Sequence, residues 1–85
     1  MSGKETHEKK IGNEQDVLTA IKKVAAIDRI EAMDFFQRIK VVIRNIYISA
    51  NKLTAITNVM QTYGFEFREI SFDVSTLSLY LYYQR

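Results

Sequence analysis

FQRIKVVIRNIYI, residues 36–48, is the stretch on which the fold turns. Its Ile and Val content suits a strand, because β-branched side chains pack well on a pleated surface. Its periodicity suits a helix. Ala32, Phe35, Phe36, Ile39, Val42, Ile43, Ile46 and Tyr47 fall on one arc of a helical wheel, and Asp34, Gln37, Arg38, Lys40, Arg44 and Asn45 fall opposite. Val41 is the exception. A strand from Ile39 would need a turn before it, and residues 35–40 hold no Gly, Pro, Asn or Ser to make one. The pattern therefore predicts one long helix over 29–46. Asp28 and Glu31 read as its capping box, with acids early and bases late along the helix dipole. As caps, they are not read as a catalytic carboxylate pair.

Upstream, Val17, Leu18, Ala20, Ile21, Val24 and Ala25 share one side of a predicted amphipathic helix over 14–27. Residues 1–13 hold two of the three glycines, the single histidine and charges of both signs. They read as a flexible tail, leaving 14–85 as a single domain. No internal repeat stands out.

Downstream, NKLTAITNVMQTYG (51–64) predicts a third helix over 50–62, capped by Ser49 or Asn51 and ended by Gly64. No charged side chain occurs between Leu53 and Tyr63, yet Thr54, Thr57, Asn58, Gln61 and Thr62 are polar. That neutral face suits contact with hydrogen-bonding surfaces, whether base edges or protein. FEFREISF and TLSLYLYYQR then alternate as a β-hairpin. Pairing Phe72 with Leu77 places Ile70, Phe72, Leu77, Leu79, Leu81 and Tyr83 on one face. Phe65, Phe67, Tyr80 and Tyr82 collect on the other. That aromatic face is core, a protein interface, or a stacking platform for single-stranded nucleic acid.

Eighty-five residues make one small domain. The chain has no cysteine, which excludes disulfides and thiolate chemistry. The lone His7 excludes a multi-histidine metal site and a His-based triad. No glycine-rich phosphate loop is present. These absences predict a non-enzymatic protein without cofactor, metal or small-molecule substrate. The sequence has no secretory signal pattern and no apolar run long enough to span a membrane, so a cytoplasmic, intracellular setting without membrane contact is expected. A net charge of +2 permits nucleic-acid binding without requiring it.

The order helix, helix, helix, hairpin, carried by residues 49–83, resembles winged helix-turn-helix DNA-binding domains. The resemblance implies an α+β, winged-helix-like fold of three helices and a C-terminal β-hairpin. It implies that the helix over 51–62 reads double-stranded DNA, in a dimeric regulator of transcription or a chromatin-type protein. Asn51, Lys52, Thr54, Asn58 and Gln61 would face the groove, where Asn and Gln amides can bond adenine and Thr can pack on thymine. Lys22, Lys23, Arg38 and Arg44 would supply phosphate contacts. The acidic hairpin tip and the length of the second helix depart from that family. The other functional reading is an accessory subunit that self-associates or docks on a protein partner through Phe65, Phe67, Tyr80 and Tyr82. If residues 39–48 are a strand instead, the second half becomes β-α-β-β and resembles half of a ferredoxin-like or ACT-type regulatory domain. Such a half exposes sheet edges and calls for a partner.

Overall fold

The computed structural model describes residues 12–45 and 47–85. Its elements run α1 (Glu14–Lys22), β1 (Arg29–Met33), β2 (Arg38–Ile43), α2 (Ala50–Thr62), β3 (Glu66–Asp73) and β4 (Ser78–Gln84). The four strands form one antiparallel sheet in the order β1-β2-β4-β3. Strands β2 and β3 thus run parallel with β4 between them, a split β-α-β unit around α2.

Both helices cover one side of the sheet. Val17, Ile21 and Ala25 from the first helical segment join Ile56 and Met60 of α2 over Ile39, Val41, Ile43, Leu79, Leu81 and Tyr83. In a strand alternate side chains face the same way, so β2 and β4 each present every second residue to this core. Short helices depend on their caps, and both are capped. Asn13 accepts from the Asp16 amide at 2.9 Å while Asp16 accepts from the Asn13 amide at 3.0 Å. Ser49 Oγ accepts from the Lys52 amide at 3.1 Å.

This architecture overturns the expected three helices with a C-terminal hairpin, and with it the winged-helix-like arrangement. The expected helix over 29–46 is a second hairpin, β1–β2, with residues 34–37 as its turn. No glycine is needed there because Asp34, Phe35 and Phe36 themselves take left-handed backbone angles, φ 52°, 54° and 68°. Val41, the misfit on the helical wheel, is wholly buried, facing the core with Ile39 and Ile43. Asp28 and Glu31 cap nothing: Arg29 binds both, at 2.6 and 2.8 Å, and Lys40 reaches Glu31 at 3.1 Å. The expected helix over 14–27 stops at Lys22, where the Val24 and Ala25 amides both turn back to the Ile21 carbonyl. The other expected bounds are closer. The helix over 50–62 forms as expected, and Gly64 ends it at φ 90°. The C-terminal hairpin also forms, two residues out of the expected register: Phe72 pairs with Leu79 rather than Leu77, Asp73 pairs with Ser78, and residues 74–77 make the turn.

The chain is built twice over. Each half runs α-β-β, and the two inner strands pair about Val41↔Leu81, with Ile39↔Tyr83 and Ile43↔Leu79 on either side. That register is a pseudo-twofold axis through the sheet. This corrects the reading that no internal repeat stands out: Leu-Thr-Ala-Ile occurs at 18–21 and again at 53–56, followed in each copy by a valine three residues on. Ile21 and Ile56, equivalent under this axis, are both fully buried, and both hairpin turns are four residues long.

Candidate interaction surfaces

Three surfaces are built by this frame. The first is the outward side of α2. Asn51, Thr54, Asn58 and Gln61 recur at helical spacing, and all four are exposed along one stripe. Lys52 is exposed too, but its ammonium donates to the Val24 carbonyl at 3.0 Å, tying α2 to the end of the first helical segment.

The second surface is the sheet face turned away from the helices. There an ion-paired chain crosses the strands. Arg29 binds Glu31, Glu31 binds Lys40, and the Lys40 ammonium lies 4.7 Å from the centre of the Tyr80 ring. The Tyr80 hydroxyl points back to Asp73 at 3.4 Å. Hydrogen bonds from Lys40 and then Arg29 hold the Glu31 carboxyl below its ordinary range, and the Ser75 hydroxyl does the same for Asp73. Val42 lies beneath these long side chains and is buried despite facing away from the core. The face is polar, and most of its charges are satisfied internally.

The third surface is the edge strand β3 with the tip of its hairpin. Phe67, Ile70 and Phe72 pair with Tyr83, Leu81 and Leu79, so they share the helix side of the sheet. The helices do not reach over them. With Val74 and Leu77 at the tip, these side chains are 38–68% exposed. The strand is eight residues long at the sheet's edge, and a bulge at Arg68 interrupts its ladder. The bulge sets Arg68 and Glu69 both against Tyr82.

An open cleft of about 450 Å³ lies between residues 25–28 and the β2–α2 connection. Its charged groups are already engaged: Arg44 meets Asp28 at 3.5 Å, and Lys52 holds the Val24 carbonyl.

The structure therefore brings Asn51, Thr54, Asn58 and Gln61 together but separates them from Arg38 and Arg44. Arg38 lies on the opposite sheet face, 2.6 Å from Asp34, and Arg44 follows β2 beside Asp28. The four aromatic residues divide. Tyr80 and Tyr82 lie on the open face, Phe67 turns to the helix side, and Phe65 is buried before β3 begins, edge-on to Phe36. The bulge at Arg68 causes the split, because an extra residue reverses the alternation on one side of it. Ile70, Phe72, Val74 and Leu77 were not singled out by the sequence. Ile70 and Phe72 read as core because they share the face of Leu79 and Leu81, and no local pattern says how far a helical layer extends. Of the N-terminal tail, residues 1–11 lie outside the described residues; Asn13 is the cap of α1.

Among the described residues no helix is long and apolar enough to cross a membrane, and no cluster of three His, Asp or Glu side chains converges as metal ligands. No family model, curated protein or solved structure matches the chain.

Proposed function

We propose that this protein is an interaction module that docks onto protein through the β3 edge and the apolar tip of the β3–β4 hairpin. One observation carries the reading: Phe67, Ile70, Phe72, Val74 and Leu77 stand exposed beside an eight-residue edge strand. An edge of this kind offers backbone groups for strand addition, and flanking pockets and side chains give it selectivity. The DNA reading loses the frame that would aim α2 into a groove, and Arg38 and Arg44 do not flank the α2 stripe.

A photo-crosslinking amino acid placed at Val74 or Leu77, with the same probe at Asn58 as comparison, tests the proposal in cells. Protein adducts are expected at 74 and 77, and Asn58 should give none. Adducts confined to Asn58, or a salt-sensitive affinity for duplex DNA lost in Asn58→Ala and Gln61→Ala, would replace this reading with one centred on α2.

A further inference from the structure

We infer that the open cleft between residues 25–28 and the β2–α2 connection is a binding site for a small molecule that joins a phenyl ring to a carboxylate. The cleft shares no residue with the β3 patch and stands apart from the docking function.

The pseudo-twofold axis shows why the cleft is open. Ala25 lies four residues after Ile21, as Met60 lies four after Ile56, and Asn45 lies four after Val41, as Arg85 lies four after Leu81. The space between Ala25 and Asn45 therefore corresponds to the space between Met60 and Arg85. In the second half that space is filled. Phe65 lies there fully buried: its amide donates to the Met60 carbonyl at 2.9 Å, and the Arg85 guanidinium is 4.5 Å from its ring centre. Phe65 has no counterpart in the first half. Ala25 is four residues from Arg29, whereas Met60 is nine from Glu69, the residue equivalent to Arg29 in register. The shorter segment omits the plug, and alanine in place of methionine widens the room left behind. The result is an open volume of about 450 Å³, within the range of roughly 300–1,000 Å³ usual for small-molecule clefts.

The walls set the chemistry of the occupant. Ala25, Ile27, Ile43 and Ile48 line the cleft with apolar carbon, which suits a ring in the place that Phe65 takes in the other half. Arg44 and Lys52 line the same cleft, against one carboxylate, Asp28. Asp28 Oδ2 holds Arg29 at 2.6 Å, and Arg44 meets the same oxygen only at 3.5 Å, so Arg44 can turn to a ligand without leaving Asp28 bare. Lys52 uses one of its three N–H donors on the Val24 carbonyl. The unbalanced positive charge selects an anion over a neutral or cationic ligand, and the guanidinium fork fits a carboxylate.

The test is a titration of the isotope-labelled full chain with hydrocinnamate, followed in its amide NMR spectrum. Hydrocinnamamide, which keeps the ring and lacks the charge, and acetate, which keeps the charge and lacks the ring, serve as comparisons. Hydrocinnamate should saturate with a Kd on the order of 1 mM or below, shifting the amides of residues 25–28 and 49–52 and leaving those of 67–77 in place. Hydrocinnamamide should bind about fivefold more weakly, the difference an exposed ion pair makes, and acetate should not saturate. Arg44→Gln should remove the preference for the acid without changing the affinity for the amide. Ala25→Met, which gives the first half the residue of the second, should abolish saturation. Ala25 is buried, whereas Ala26 is exposed on the cleft, so Ala26→Leu closes the site without entering the core and should have the same effect. No saturation up to roughly twenty times that Kd would overturn the site. Equal affinity for the acid and its amide, shifts centred on 67–77, or binding that survives both alanine substitutions would overturn it as well.

Discussion

Tyr83 shows how one side chain ties the two layers together. Its ring is buried in the core, its hydroxyl lies 2.8 Å from Thr57 Oγ1 on α2, and Phe67 stands edge-on to it. A buried hydroxyl keeps its place only when bonded, so Tyr83→Phe should cost about 1 kcal/mol by leaving Thr57 without that partner. Burial also raises the pKa of the Tyr83 hydroxyl, against the lowering influence of Thr57. Below the ordinary tyrosine value near 10 both folded and unfolded chains keep the proton, so the group makes stability no more dependent on pH there. Above that pH the unfolded chain releases its proton first, and stability falls as pH rises toward the higher folded value. Urea midpoints measured from pH 8 to 11 should decline more steeply in the wild type than in Tyr83→Phe. Equal slopes would mean that this hydroxyl titrates alike in both states.

At the scale of the element, the β1–β2 hairpin holds the main conflict between local and global preference. Three successive non-glycine residues sit in the left-handed region, and Phe35 among them is fully exposed. Each such residue costs roughly 1–2 kcal/mol, so the turn is held by the strands it joins rather than by its own sequence. Phe35→Gly should raise stability by about 0.5–1 kcal/mol, since relief of strain exceeds the entropy that glycine adds to the unfolded chain. Chemical denaturation gives the value, and a loss of stability would show that the ring contributes contacts worth more than the strain. This turn is also why the hairpin was illegible. Asp34 was its one turn-forming residue and read instead as an early acid of a helix, while Val42, buried on the open face, filled out a helical arc that Ile39 and Ile43 also satisfy. Val41 alone carried the period of two. By contrast α2, β3 and β4 were legible, because Ser49, Gly64 and strict alternation from Leu77 to Tyr83 all agree with the final structure. The polar stripe on α2 was legible for the same reason. The exposed patch on β3 was not, since exposure there depends on where helices distant in sequence come to rest.

The whole molecule is governed by its pseudo-twofold axis, and the axis makes a demand on connectivity. In the first half, five residues join Ile43 at the end of β2 to Ser49, the cap of α2. The equivalent positions in the other half are Tyr83 and Asn13, the cap of α1, which the chain leaves unconnected. If the symmetry extends to the ends of the elements, a similar span should separate them. A circular permutant can test this. It would begin at Ser49, run to Arg85, cross about three added Gly/Ser residues, and continue from Asn13 to Arg44. Its elements would then appear as α-β-β from the second half followed by α-β-β from the first, with the central pairing of Val41 and Leu81 unchanged. The expected result is cooperative unfolding and a far-ultraviolet spectrum like that of the natural order. Stability should lie within about 1–2 kcal/mol, the range in which modest changes of loop length act. A permutant that expresses without cooperative unfolding would confine the symmetry to the sheet and the buried helix faces. A folded one would mean that each α-β-β unit is an interchangeable half. The β3 edge would then keep its place in the sheet wherever the chain begins.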